Sequence, residues 1–140
     1  MVHKSSSAYQ TQKIAQNLAK KYKLKGDILA LTGDLGSGKT TFAQGFAKGL
    51  GIKEKIISPT FVLIRQHKIP GTQRTFYHID LYRLDIIEDI KSIGIKEILE
   101  DKDNLILIEW AEKIEKLLPD STLKIHFEKT SDLGRKIWYT

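Results

Sequence analysis

The residues best suited to chemistry are Gly33-Asp34-Leu35-Gly36-Ser37-Gly38-Lys39-Thr40, a complete Gly-x-x-x-x-Gly-Lys-[Ser/Thr] element. Glycines at these places let backbone N–H groups wrap an anion. The lysine brings a mobile positive charge to the outer phosphates, and the threonine hydroxyl is placed to ligate Mg²⁺. The flanks agree. Asp27-Ile28-Leu29-Ala30-Leu31 reads as an apolar strand before the loop, and the Phe42/Phe46/Leu50 repeat with Ala43/Ala47 reads as a helix after it. Strand, loop and helix start together aim N–H groups and the positive end of a helix dipole at one point. A nucleoside triphosphate is the ligand this arrangement suits; a glycine-rich turn that binds nothing would not need these flanks.

Three further segments could complete such a site. Glu109 follows the apolar run Leu105-Ile106-Leu107-Ile108. A carboxylate at the carboxyl end of a buried strand beside a phosphate loop is where a Mg²⁺ partner belongs. The bland alternative is a surface carboxylate that eases the dipole of the following helix. Asp80 ends the strand candidate Thr75–Leu81, where alternation puts Phe76, His78 and Asp80 on one face and Tyr77, Ile79 and Leu81 on the other. With the second set in the core, Asp80 faces the cleft or solvent, to hold a metal-bound water, to position the attacking water, or merely to pair with Arg83. Spacing alone does not rank Asp80 against Glu109 as metal ligand or water positioner. Ser58-Pro59-Thr60 reads either as a switch that senses the γ-phosphate through Thr60 or as a turn between strands. His78 is expected to be packed or hydrogen-bonded rather than catalytic, and Trp110 and Trp138 to be core or interface residues.

The elements that must position these groups alternate along the chain without linker or repeat. A helix is expected over 8–22, with Ile14, Leu18 and Tyr22 on one face and Gly26 as its stop. The strand Ile28–Leu31 and a helix over Lys39–Leu50, ended by Gly51, frame the loop. Ile56-Ile57 reads as a short strand, and Phe61–His67 and Thr75–Leu81 as a hairpin turned by Pro70-Gly71. Short helices are expected at Asp85–Ile90 and Ile95–Glu100, a central strand at Leu105–Ile108, and a helix at Ala111–Leu118. Strands at Leu123–Phe127 and Lys136–Tyr139 finish the chain. The fold class implied is a three-layer α/β sandwich with a mixed sheet, in which hairpins add antiparallel members to a parallel core.

Composition bounds the rest. The 140 residues suit one domain over 1–140, able to bury roughly two-thirds of its unfolded surface. With 41% hydrophobic and 29% charged residues the chain reads as globular and soluble. No apolar run approaches the ~20 residues of a membrane span, and no signal peptide is expected after Met1-Val2-His3-Lys4. With no cysteine there is no disulfide or thiolate metal site, which agrees with a reducing cytoplasm. Four scattered histidines give little support for a transition metal. The net charge of +6 peaks at Lys20-Lys21-Tyr22-Lys23-Leu24-Lys25. Such a run is either the water-facing end of a helix or a patch for an acidic partner. Only four of the 23 basic residues are arginine, the better bidentate phosphate reader, so tight direct nucleic-acid binding is not the first expectation.

Taken together, Gly-Asp-Leu-Gly-Ser-Gly-Lys-Thr-Thr at 33–41, Ser-Pro-Thr-Phe at 58–61, His-Ile-Asp-Leu-Tyr-Arg-Leu at 78–84 and Ile-Glu-Trp at 108–110 resemble, in order and spacing, the bacterial TsaE family, also called YjeE. The similarity runs from Thr11-Gln12 to Gly134-Arg135. It implies a P-loop NTPase-like fold and an ATPase that supports threonylcarbamoyladenosine formation at position 37 of tRNA (t6A37). In that family the ATPase docks on a complex of a TsaD-type threonylcarbamoyl transferase and a TsaB-type subunit. ATP turnover resets that complex, and tRNA is met only indirectly. By motif, the resemblance places Gly36, Ser37, Gly38, Lys39, Thr40 and Thr41 around the phosphates of ATP, with Thr40 and Glu109 on Mg²⁺. Asp80 is implied in hydrolysis, Ser58–Phe61 with Thr60 in a switch-like loop, Thr11 near the base or sugar, and Arg135 near the nucleotide or partner. Ser37 stands where the family usually has alanine, and Ala111 where proline is common.

Rival readings are weaker. Neither Asn-Lys-x-Asp nor Asp-x-x-Gly occurs, which disfavours a GTPase. About 100 residues after the loop leave no obvious lid with which a small-molecule kinase would exclude water. A scaffold that binds ATP without turnover stays open. A phosphate-loop site without an arginine finger forgoes about 10³–10⁵ in rate. Arg83 is the only arginine in the central motifs, and pairing with Asp80 or Asp85 is as open to it as catalysis. Slow hydrolysis by the chain alone, raised by its partners, is the expectation.

Overall fold

Four parallel strands carry the site. The computed structural model describes residues 2–54 and 64–140. Among these residues, seven strands form one sheet: β1 (Val2–Ser5), β2 (Ile28–Thr32), β3 (Ile64–Lys68), β4 (Thr75–Asp80), β5 (Asn104–Glu109), β6 (Leu123–Lys129) and β7 (Arg135–Tyr139). Their order is β1-β7-β6-β2-β5-β4-β3. The β4–β5, β5–β2 and β2–β6 pairs are parallel, and antiparallel β3, β7 and β1 extend the edges. This is the mixed α/β sandwich expected from the sequence.

Strand parity sorts the core into two layers. Leu29, Leu31, Phe76, Leu105, Leu107, Ile125 and Phe127 pack under α1 (Ala8–Tyr22) and α2 (Lys39–Gly49). Ile28, Ala30, Ile79, Leu81, Ile106 and Ile108 form the opposite layer with residues of α3 (Ile87–Ser92) and α4 (Ile95–Glu100). All six residues of β5 are buried, as a central parallel strand covered on both faces must be. The Phe76 face of β4 is therefore as much core as the Ile79 face. Phe42 sits edge-on to Phe127 with centroids 5.3 Å apart and Phe46 leans on Phe76 at 5.8 Å, so aromatic contacts pin α2 to the sheet.

Helices α1 and α2 cross at backbone distance. A Cβ added at Gly45 would lie 2.4 Å from the Gln12 carbonyl oxygen, and one at Gly49 would lie 2.6 Å from that of Gln16. Gly45→Val must push α1 away, at about 1–3 kcal/mol and several degrees of melting temperature. An unchanged midpoint in thermal unfolding would show that the approach is not this close.

Local signals explain most element ends. Ser7 caps α1 by accepting from the Gln10 N–H at 3.1 Å, while Gln10 accepts from Ser6. Past α2, Gly51 (φ 87°) donates to Lys48 O and buried Ile52 donates to Ala47 O, a Schellman end. Gly71 (φ 77°) after Pro70 turns the β3–β4 hairpin. The lysines of 20–25 are exposed except half-buried Lys23, and Lys20 and Lys21 lie in the last turn of α1.

Four expectations change. Val2–Ser5, not expected to form an element, pairs antiparallel with β7. Gly26 does not stop α1, which ends at Tyr22; a Cβ there would collide with the Lys102 carbonyl. The helix expected from Asp85 begins at Ile87, because the residue before it, Ile86, is in extended backbone (φ −101°, ψ 126°). Residues 111–117 form 3₁₀ turns rather than an α-helix. The backbone kinks at Ile114 (φ −128°), and Ala111, Ile114 and Leu117 still pack against the sheet's second layer. The short strand at Ile56-Ile57 and the start of the next, 61–63, lie outside the described residues. Among the described residues, no helix is long and apolar enough to cross a membrane.

Candidate functional site

The strand register assembles the site. At the carboxyl ends of the parallel strands, Leu31 aligns with Glu109 and Glu109 with Asp80. The loop leaves β2 beyond Thr32, one residue past Leu31, so the carboxylates 29 residues apart in sequence meet the loop along one edge, where open α/β sheets bind ligands. A cavity of about 260 Å³ opens there, lined by loop residues Leu35, Gly36, Gly38, Lys39, Thr40 and Thr41 and closed by Asp80, Tyr82, Glu109, Trp110 and Arg135.

Loop conformation depends on glycine at two positions that line this cavity. Gly36 (φ 80°) and Gly38 (φ 105°) occupy left-handed backbone, and Gly38 is the residue that caps α2. α2 begins without a side-chain cap and without an acid in its first turn, so its N–H groups face the cavity as an anion site. Ser37 is buried, with its hydroxyl 3.4 Å from Lys39 Nζ. Its side chain braces the loop from within. Lys39 donates to the carbonyls of Gly33 and Asp34, and its Nζ lies 4.1 Å from the centre of the Trp110 ring. Burial pushes its ammonium below the ordinary lysine range, while Glu109, Glu112, Asp80 and Asp34 pull it back up.

Thr40 and Glu109 meet across the mouth of the loop. The Thr40 hydroxyl donates to Glu109 Oε1 at 2.9 Å, and Glu109 Oε2 lies 2.6 Å from His78 Nε2. Glu109 is 2% exposed, so it is not the surface carboxylate of the bland reading. Asp80 is 8% exposed and accepts from the Tyr82 N–H at 3.0 Å, a local turn that fixes its carboxylate at the cavity edge.

These two oxygen donors fit Mg²⁺. Among the described residues no group of three or more His, Cys, Asp or Glu could hold a metal by itself. Mg²⁺ prefers one or two protein oxygens completed by phosphates and water, which a Thr–Glu pair beside an anion cradle can supply.

Thr11 and Arg135 reach the same region from the other side. A smaller cavity of about 100 Å³ is lined by Ser7, Ala8, Thr11, Gly38, Thr41, Asp132, Leu133 and Arg135, sharing three residues with the first. Thr11 is buried against the Ser5 hydroxyl at 2.7 Å. The Arg135 stem lies where a Gly38 Cβ would be 3.7 Å away, and one guanidinium nitrogen donates to the carbonyls of Ser131, Asp132 and Gly134. Thr60 and the rest of Ser58–Phe61 lie outside the described residues.

Sequence reasoning passed over Tyr82 and Trp110 as site residues. Their rings lie 5.1 Å apart, and Trp110 adopts φ 60°, uncommon for a bulky side chain. Both lie inside motifs that carry the family resemblance, 78–84 and 108–110, the signal that could have found them.

A mixed sheet with a glycine loop between its central strand and an uncapped helix defines a P-loop fold. The chain belongs to the TsaE family: the model of "Threonylcarbamoyl adenosine biosynthesis protein TsaE" matches residues 5–137. It is similar to the tRNA threonylcarbamoyladenosine biosynthesis protein TsaE of Bacillus subtilis, at 40% identity over 82% of this chain and 70% of that protein. The protein of the same name from Haemophilus influenzae is 36% identical over 86% of this chain and 75% of its own length. The crystal structure of YdiB from Bacillus subtilis superposes with a TM-score of 0.78 at 34% identity, covering 99% of this chain and 83% of that one.

Proposed function

We propose that this chain is a Mg²⁺-dependent ATPase that supports t6A37 modification of tRNA in the cytoplasm. It acts as the accessory ATPase of a threonylcarbamoyl transfer complex made by a TsaD-type transferase and a TsaB-type subunit, and it meets tRNA only through them. The observation that carries the ATPase reading is the Thr40–Glu109 hydrogen bond, which sets a hydroxyl and a carboxylate together at the mouth of an anion-binding loop.

The residues divide the work. Loop and α2 N–H groups bind the phosphates, and Lys39 exchanges the carbonyls of Gly33 and Asp34 for phosphate oxygens. Thr40 and Glu109 hold Mg²⁺, which supplies neutralisation of phosphate charge. Asp80 orients the attacking water, Thr11 borders the base or sugar, and Thr60 acts in the switch-like segment. The bonds of Arg135 to its own turn commit one of its nitrogens away from the cavity, which supports slow hydrolysis by the chain alone.

Reconstitution with the two partner subunits, tRNA and ATP tests the proposal. Repeated rounds of t6A formation are expected only with this chain present. Asp80→Ala is expected to retain ATP binding but release no phosphate above background, and to sustain no further rounds. Equal multiple-turnover modification without the chain overturns the role. Label passing from the γ-phosphate to a metabolite would indicate a kinase, and nucleotide-tuned assembly without phosphate release a scaffold.

A further inference from the structure

His78 lies on β4, two residues before Asp80, and is fully buried on the face that carries the site. Its neighbours on that face are Phe76 on its own strand, Leu107 on β5 and Arg65, its cross-strand partner on β3. The imidazole has Nδ1 buried and without a hydrogen-bond partner among the described residues. Leaving a buried polar atom unmet costs about 1–3 kcal/mol. The other nitrogen accounts for the residue: Nε2 lies 2.6 Å from Glu109 Oε2. A carboxylate oxygen accepts, so Nε2 donates. That bond ties down one carboxylate oxygen and leaves Oε1 turned to the Thr40 hydroxyl at 2.9 Å.

We propose that His78 is a positioning residue for the metal site, orienting Glu109 so that Oε1 and the Thr40 hydroxyl converge on one cation. This rests on the reading above that Thr40 and Glu109 hold Mg²⁺. Groups that orient a metal ligand are typically worth 10–100-fold in metal affinity or activity. His78 touches neither nucleotide nor reacting atoms.

The test is calorimetric titration of ATP into the full chain at graded Mg²⁺ and in chelator, with melting temperatures recorded alongside. In His78→Leu the Mg²⁺ concentration needed for half-maximal enhancement of ATP affinity is expected to rise about 10–100-fold, with affinity in chelator within about twofold. His78→Gln, whose amide can donate from the same place as Nε2, is expected to recover most of the loss. Should His78→Leu not fold, His78→Asn, whose amide stops short of Oε2, is expected to show the same loss. Glu109→Gln separates the two layers of the argument. If it loses the Mg²⁺ enhancement while the His78→Leu or His78→Asn titration stays at wild type, His78 is packing and the positioning role is overturned alone. If Glu109→Gln keeps the wild-type Mg²⁺ response, the metal-ligand reading falls and the positioning role falls with it.

Discussion

Lys39→Ala is expected to weaken ATP binding by about 10²–10³-fold, the loss of two charge-assisted hydrogen bonds at roughly 1.5–3 kcal/mol each, part of which water recovers. Calorimetry with Mg·ATP checks it, and affinity within about threefold of wild type would refute the assignment. Stability without ligand should change far less. Burial opposes the Lys39 charge, and its bonds to the Gly33 and Asp34 carbonyls offset that cost. The sign of the pH dependence follows. The folded-state ammonium titrates below the ordinary lysine value, so between those two values the unfolded chain holds more protons and stability rises with pH. ATP needs the charged form, so its affinity falls with rising pH through the same alkaline window. Lys39→Ala should remove both trends.

The second large effect is expected from Glu109→Gln: turnover falls roughly a hundredfold or more, since even indirect partners of a metal ligand are worth about 10–100-fold. The Mg²⁺ needed for activity rises, while ATP binding in chelator stays near wild type. The amide keeps the shape of a side chain that is 2% exposed and can still accept from Thr40 and meet His78, whose ring can present either tautomer. The melting temperature should therefore move by only a few degrees, so lost turnover reads as lost charge at the cation rather than as unfolding. An unchanged Mg²⁺ dependence of phosphate release would refute the metal role.

Much of this site was legible in the chain. Residues 33–40 carry their own instructions: glycines for left-handed backbone at 36 and 38, a lysine, a threonine, and an apolar strand and helix on either side. Element ends at Gly51 and Pro70-Gly71 were readable because helix ends and turns depend on residues a few positions apart. The apolar positions Ala111, Ile114 and Leu117 were visible in the chain, yet a run that short does not declare whether it forms an α-helix or kinked 3₁₀ turns.

The sequence by itself determined a glycine loop of the phosphate-loop pattern at residues 33–41, and two carboxylates, Asp80 and Glu109, at strand ends. Only the tertiary structure decided which carboxylate meets Thr40, because that bond spans 69 residues and depends on β2 and β5 pairing in one register. It also set His78 against Glu109 across 31 residues, laid Trp110 over Lys39, and paired the first strand with the last. Propensity and spacing act between near neighbours in the chain. Register and the meeting of layers are settled by buried area summed over segments far apart, and no short window of sequence contains that sum.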